Sequence, residues 1–241
     1  MGDVGKLGVR YMVDPLRLLN ATTLANGGFS EWANYGNTLQ LGYWEVMPVQ
    51  AMASVTAGKF VTDYYATMTA TGGTTTTAIG QIAAIATADL LKHGIIQKTL
   101  DATPTTAEEG RRGRITANGD LSTSGTITFT PAWGEAVANT DVVTVITPYK
   151  VVHTPGNVFA RGVALATATV GQYFFVLTRG IYLNCVITAD DDVTHGTKLM
   201  AGAAGIVQVL SGDTIPSVGI CLGGRNTSDT STKLIVDVNC N

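Results

Sequence analysis

The stretch 161–180, RGVALATATVGQYFFVLTRG, limits what this chain can fold into more than any other. Val163 and Leu165 alternate with Ala164 and Ala166, and Tyr173, Phe175 and Leu177 alternate with Phe174, Val176 and Thr178. A period of two sends successive side chains to opposite faces, which is strand geometry and not the 3.6-residue repeat of a helix. The run reads as two short strands joined by a loop, with no chemistry of its own. A partial echo at 218–224, VGICLGG, sets Gly219, Ile220 and Leu222 where Gly162, Val163 and Leu165 stand. This predicts that the two segments pair as strands of one small barrel.

The rest of the chain reads as mainly β, built from small β-barrel or sandwich modules with an N-terminal arm and one or two short helices. Three segments are expected: an arm and aromatic-rich β region over 1–70, a central β module over 71–150, and a small C-terminal barrel over 151–241. Asp14 and Pro15 make a helix opening and Asn26 and Gly27 a stop, because Asp caps free amides and Pro is tolerated at the first helical position. The arm 1–26 lies on a partner subunit or is a leader. Phe29, Trp32, Tyr35, Tyr43, Trp44, Phe60, Tyr64 and Tyr65 crowd the next stretch, as a β core or an interface would require.

Thr71–Thr77, TGGTTTT, reads as a flexible connection. Ala78–His93 has Ile79, Ile82 and Ile85 at near-helical spacing before Gly94, which predicts a helix. The loop 101–113 carries Glu108, Glu109, Arg111 and Arg112, with Arg114 just beyond, and reads as a solvated loop or a charged docking segment. Strands follow at RITA, TITFTP and DVVTVI, with a type I′ hairpin turn at Asn118 and Gly119 because both its central positions need positive φ. The segment 147–157, TPYKVVHTPGN, reads as a linker into the last module.

Charged residues are 14% of the chain, against roughly 25% in ordinary soluble domains, and mean hydropathy is +0.22. So weakly solvated a surface suits a subunit packed against neighbours. A membrane span does not explain it, since 79–91 is too short and is broken by Gln81 and Asp89. A net charge of −3 lacks the basic footprint that neutralises phosphates, so nucleic acid is not expected as a partner. Cys185, Cys221 and Cys240 stand in no C-x-x-C pair. The first two read as reduced, buried small hydrophobes. The opening MGDVGKLGVR has no apolar signal core, so synthesis in a cytoplasm is expected.

Motifs that carry chemistry are sparse. His93, His153 and His195 form no metal or catalytic spacing, and Asp190, Asp191 and Asp192 lack the alternating ligands, central Gly and terminal Glu of an EF-hand. They read as a charged turn. No catalytic, cofactor-binding or metal-ligating residue is assigned, and no enzyme activity is expected.

The order RGVAL, GQYFFVLTRGI, ADDDVTHGTKLMAGAAGIVQ, SVGICLGG and a closing KLIVDV resembles the small β-barrel decoration, or cement, proteins of tailed-bacteriophage heads, over about 155–241. The stretch 113–146 is similar to a β module that recurs in phage structural proteins. The resemblance implies a virion protein assembled in the host cytoplasm, bound without cofactors to the outside of a capsid. Its partner is then the major capsid protein, and its own state a homo-oligomer, a trimer by analogy. A neck, tail or head-fibre subunit is the alternative within the virion. A carbohydrate-binding adhesive β protein or a polysaccharide-cleaving hydrolase are the alternatives of other classes.

Overall fold

A computed structural model describes residues 11–13, 44–102, 108–156, 158–188, 192–212, 216–224 and 232–240. Among these, every regular element is a strand, so the mainly β reading holds. The helix expected at 14–26 lies outside the described residues, as do Phe29, Trp32, Tyr35 and Tyr43.

The chain divides into two compact units, one of residues 64–148 and one of residues 1–63 with 149–241. Strands β3 (Phe60–Thr74) and β8 (Asn139–His153) contribute residues to both. The segment boundaries expected at 70/71 and 150/151 fall inside these two strands.

In the unit 64–148, β4 (Thr77–Gly80), β5 (Ile95–Leu100), β6 (Arg112–Asn118) and β7 (Gly125–Thr130) join parts of β3 and β8. The order is β8–β5–β6–β7–β4–β3, and β3 also pairs with β8, so six strands close on themselves. Closure removes the exposed edges of an open sheet. Ile96, Ile115, Ile127, Phe129, Val143 and Val145 are buried, each contributing about 1.5–3 kcal/mol relative to exposure.

Several local expectations fail here, for physical reasons. The predicted helix over 78–93 is β4 followed by turns. Ala78 and Gly80 point inward around Ile79, and the strand lies between β3 and β7. Ile82 and Ile85 are then buried by turns, with the Ile82 N–H donating to Leu121 O and the Leu121 N–H to Ile85 O. Three-residue spacing arose from a strand and two turns, and sheet pairing outweighed weak local helix propensity. The TGGTTTT run is no loose connection: β3 and β4 pair down to Thr74↔Thr77 with only two residues between.

Asn118 and Gly119 do not make the two-residue turn, since β6 and β7 are joined through 119–124. The Asn118 side chain instead accepts from the Leu91 N–H and donates to Thr87 O, an interaction with a distant segment that competes with the local turn. The third strand of the expected meander, β8, pairs with β5 and not with β7. The expected linker 147–157 is strand up to His153. Its Pro148 is accommodated where Tyr149 takes φ 64°, and Asp63 accepts the Tyr149 N–H.

The other unit holds β1 (Tyr11–Val13), β2 (Trp44–Ala51), β9 (Gly162–Ala164), β10 (Tyr173–Val186), β11 (Lys198–Ala201), β12 (Val207–Val209), β13 (Ser217–Cys221) and β14 (Lys233–Asn239). The long β10 is shared. Tyr173–Arg179 pairs with β2, and Arg179–Val186 pairs with β14, the change falling beside Gly180 at φ 125°. From β10 the order runs β14–β13–β11–β12, and Val207 of β12 bridges Ile187, the residue after β10. These five strands form a small barrel around Tyr182, Cys185, Leu199, Val218, Cys221 and Val236. The stretches 162–166 and 218–222 do not pair with each other. β9 lies between β3 and β10, and β13 between β11 and β14. The echo does not extend to environment: Val163 is buried, while Ile220, at the corresponding position, is exposed.

Candidate functional site

A group of charged side chains is buried in the unit 64–148. Strand β5 carries Ile96 and Lys98 on its inner face, as period-two alternation requires, and both have no exposed surface. A bulge then intervenes: Lys98 pairs with Val143, but Leu100 pairs with Val142. A bulge inserts one residue and resets the alternation. Thr99 and Leu100 both face outward, and Asp101 turns in beside Lys98.

The Lys98 ammonium meets three carboxyls: Asp141 Oδ2 at 3.1 Å, Glu135 Oε1 at 3.4 Å and Asp101 Oδ2 at 3.6 Å. Trp133, stacked on Phe129 with ring centroids 4.3 Å apart, has its ring 5.9 Å from Lys98 Nζ. Asp141 is fully buried, yet its oxygens are well served: Oδ1 accepts the Ala102 N–H and Oδ2 the Ala138 N–H, each at 2.8 Å. Burial acts to raise its pKa. The two backbone donors and Lys98 outweigh that, and the carboxyl ends below its ordinary value. For Lys98, burial acts to lower the pKa, and Asp141, Asp101 and Glu135 together more than offset it.

Asp101 is in the opposite state. Its side chain is 2% exposed, and neither oxygen accepts a hydrogen bond. Glu135 first, and burial second, hold its pKa above the usual carboxylate range. A raised pKa favours the uncharged acid, whose hydroxyl is then a donor for Glu135 and not an acceptor. Glu108, also buried, accepts the Gly134 N–H at 3.2 Å and lies 3.6 Å from Arg111 Nε. A Cβ on Gly134 would stand 2.5 Å from Glu108 Oε1, so a larger residue there would displace the Glu108 carboxylate. The expectation of a solvated charge loop at 101–113 is thus corrected at Asp101 and Glu108, which face inward.

Sequence reading singled out neither Lys98 nor Asp101, Glu135 or Asp141. The available signal was a lysine on the inward phase of an otherwise apolar strand, IIQKTL. The three histidines make separate contacts. His93 Nδ1 bonds Arg114 Nη2, His153 Nε2 accepts the Thr56 N–H, and His195 Nδ1 bonds Leu222 O. Among the described residues no group of three His, Cys, Asp or Glu is placed to hold a metal ion. Asp190 and Asp191 lie outside the described residues. Cys185 and Cys221 are buried and free, and burial pushes both thiols up. Of the aromatics, Phe60 and Tyr64 are core, and Tyr65 points outward.

A second feature lies on the outside of the small barrel. Lys198, Ile220 and Asp237 stand in register across β11, β13 and β14. With Ser217, Gly219 and Asn239 they line a cleft of about 200 Å³. Ile220 is 42% exposed and Ile235 of β14 37%, so the outer face combines apolar side chains with one charge of each sign. Compared with protein-family models, curated proteins and solved structures, the chain gives no match.

Proposed function

We propose that the protein is a structural virion subunit that binds the outer surface of a tailed-phage capsid and reinforces it, with the major capsid protein as partner. The observation that carries this reading is the outer face of the small barrel. Strands β13 and β14 keep Val218, Cys221, Leu234, Val236 and Val238 inside, yet alternate them with Ile220 and Ile235 rather than with polar groups alone. An outward isoleucine on each of two neighbouring strands, bordered by Lys198 and Asp237, is suited to docking on another protein with modest apolar area and charge pairing at the rim. The low charged fraction of the whole chain and the order of C-terminal motifs support the same reading.

Several such contacts, each weak, become tight when one oligomer engages neighbouring capsid subunits together, because each later contact is intramolecular. The test is electron cryomicroscopy of particles assembled with and without the chain. Added density on the shell exterior, at lattice-related positions and contacted through β13 and β14, is the expected result. Density confined to the neck or tail, or none, would overturn the decoration reading. Ile220→Glu combined with Ile235→Glu, both at exposed positions, is expected to reduce shell occupancy while leaving the barrel folded.

A further inference from the structure

Lys98 is a fully buried amine held against three carboxyls, one of which, Asp101, is buried and accepts no hydrogen bond. As an ionic cluster this is poorly resolved: desolvating the charges is costly, and the Coulombic return depends on every lone pair being satisfied. A condensation reaction removes the difficulty. We propose that Lys98 and Asp101 join as an intramolecular amide with loss of one water, Glu135 moving the proton and Asp141 aligning the amine.

The choice of Asp101 over Asp141 follows from their surroundings. Asp141 is stabilised as a carboxylate by two backbone N–H donors, which makes its carbon a poor electrophile. Asp101 has no such donor, and as the neutral acid its carbonyl carbon is open to attack. Glu135 Oε1 is 3.4 Å from Lys98 Nζ and adjoins the Asp101 carboxyl, so it can reach both the proton to be removed and the group that leaves. Asp141 Oδ2, at 3.1 Å, orients the nitrogen.

The atoms and charges balance. The Lys98 ammonium gives a proton to the Glu135 carboxylate, and the freed lone pair bonds to Asp101 Cγ. A second proton leaves the nitrogen as the intermediate collapses and goes, through Glu135, onto the departing Asp101 hydroxyl, which exits as water. The ammonium, the neutral acid and the Glu135 carboxylate become an amide, water and a neutral Glu135. No oxidant or cofactor is needed. In the product the amide N–H donates to Asp141, the Glu135 hydroxyl donates to the new carbonyl, and the donorless Asp101 carboxyl is gone. Exclusion of water by Trp133 and Phe129 favours condensation over hydrolysis.

The experiment is intact-mass spectrometry of the purified full chain, followed by tryptic mapping. The expected mass is lower than the sequence mass by one water. The peptide His93–Arg111 is expected to appear uncut at Lys98 and short by that water. Lys98→Ala and Asp101→Ala are each expected to restore the unmodified mass, and Glu135→Gln to slow the loss. A full sequence mass with ready cleavage after Lys98 in the wild-type chain would overturn the proposal whether or not any variant folds. So would water loss that persists in Lys98→Ala, which would mark a succinimide, and so would fragment ions placing the link on Asp141 or Glu135.

Discussion

At the scale of single residues, buried ionisable groups set the sharpest expectations. Asp141 accepts two backbone donors and holds Lys98, so Asp141→Ala leaves those donors unpaired and, where Lys98 is still an ammonium, removes its aligned countercharge. Denaturant unfolding of that variant is expected to show a loss of about 3–5 kcal/mol, as for other broken buried pairs. His153 gives a pH dependence of defined sign. Burial first and Lys59 second hold its pKa below the ordinary value, and its Nε2 accepts the Thr56 N–H, which requires the neutral ring. A depressed folded pKa means that stability from this group is present above the unfolded value of about 6.5 and is lost as pH falls through the folded value. Melting temperature is therefore expected to drop as pH falls below about 6.5, and less steeply in His153→Gln, whose amide oxygen keeps the acceptor without titrating. For Cys185 and Cys221, with thiols pushed up by burial, a thiol reagent is expected to leave both unlabelled in the native protein. Rapid native labelling of either would contradict their placement in the barrel core.

At the scale of elements, much was legible wherever one face of a strand is buried and the other wet. Strand β14 alternates buried and exposed along LIVDV, and β6 and β7 do nearly the same, so sequence period and structure agree. Partners were not legible. The NG pair at 118–119 carries the strongest local hairpin signal, yet the Asn118 side chain is engaged by Leu91 and Thr87, residues no local rule connects to it. The bulge on β5 was equally hidden. IIQKTL alone places Lys98 inward and says nothing of Asp101, whose inward turn depends on the register against β8. That is why the buried charge cluster escaped motif reading: its members come from β5, β8 and the turn after β7, and only sheet pairing brings them together. Gly58 makes an element-scale test. It has φ 81°, donates to Ala164 O and accepts from the Val186 N–H, and a Cβ there would stand 2.3 Å from Asn184 O. Gly58→Ala is expected to cost at least about 1–3 kcal/mol through backbone strain, read as a lowered unfolding midpoint with an unchanged slope.

At the scale of the whole molecule, the decoration proposal turns on how copies associate. Closure protects most strand edges, but among the described residues β12 pairs only with β11, apart from the single bridge from Val207 to Ile187. Val209 at its end is 38% exposed. An edge of this kind recruits another chain unless it is covered, and a closed ring of copies covers it while turning identical faces toward a symmetric shell. Three contacts of only about millimolar strength then bind tightly together, provided one ring spans its sites. A trimer is the state proposed, with association through the β12 edge. Sedimentation of the purified chain is expected to show the trimer, and Val209→Lys to shift it toward monomer while the β-sheet circular dichroism stays that of the wild type. A wild-type chain that remains monomeric both free and on shells would remove the ring. A Val209→Lys chain that stays trimeric would move the contact to another surface.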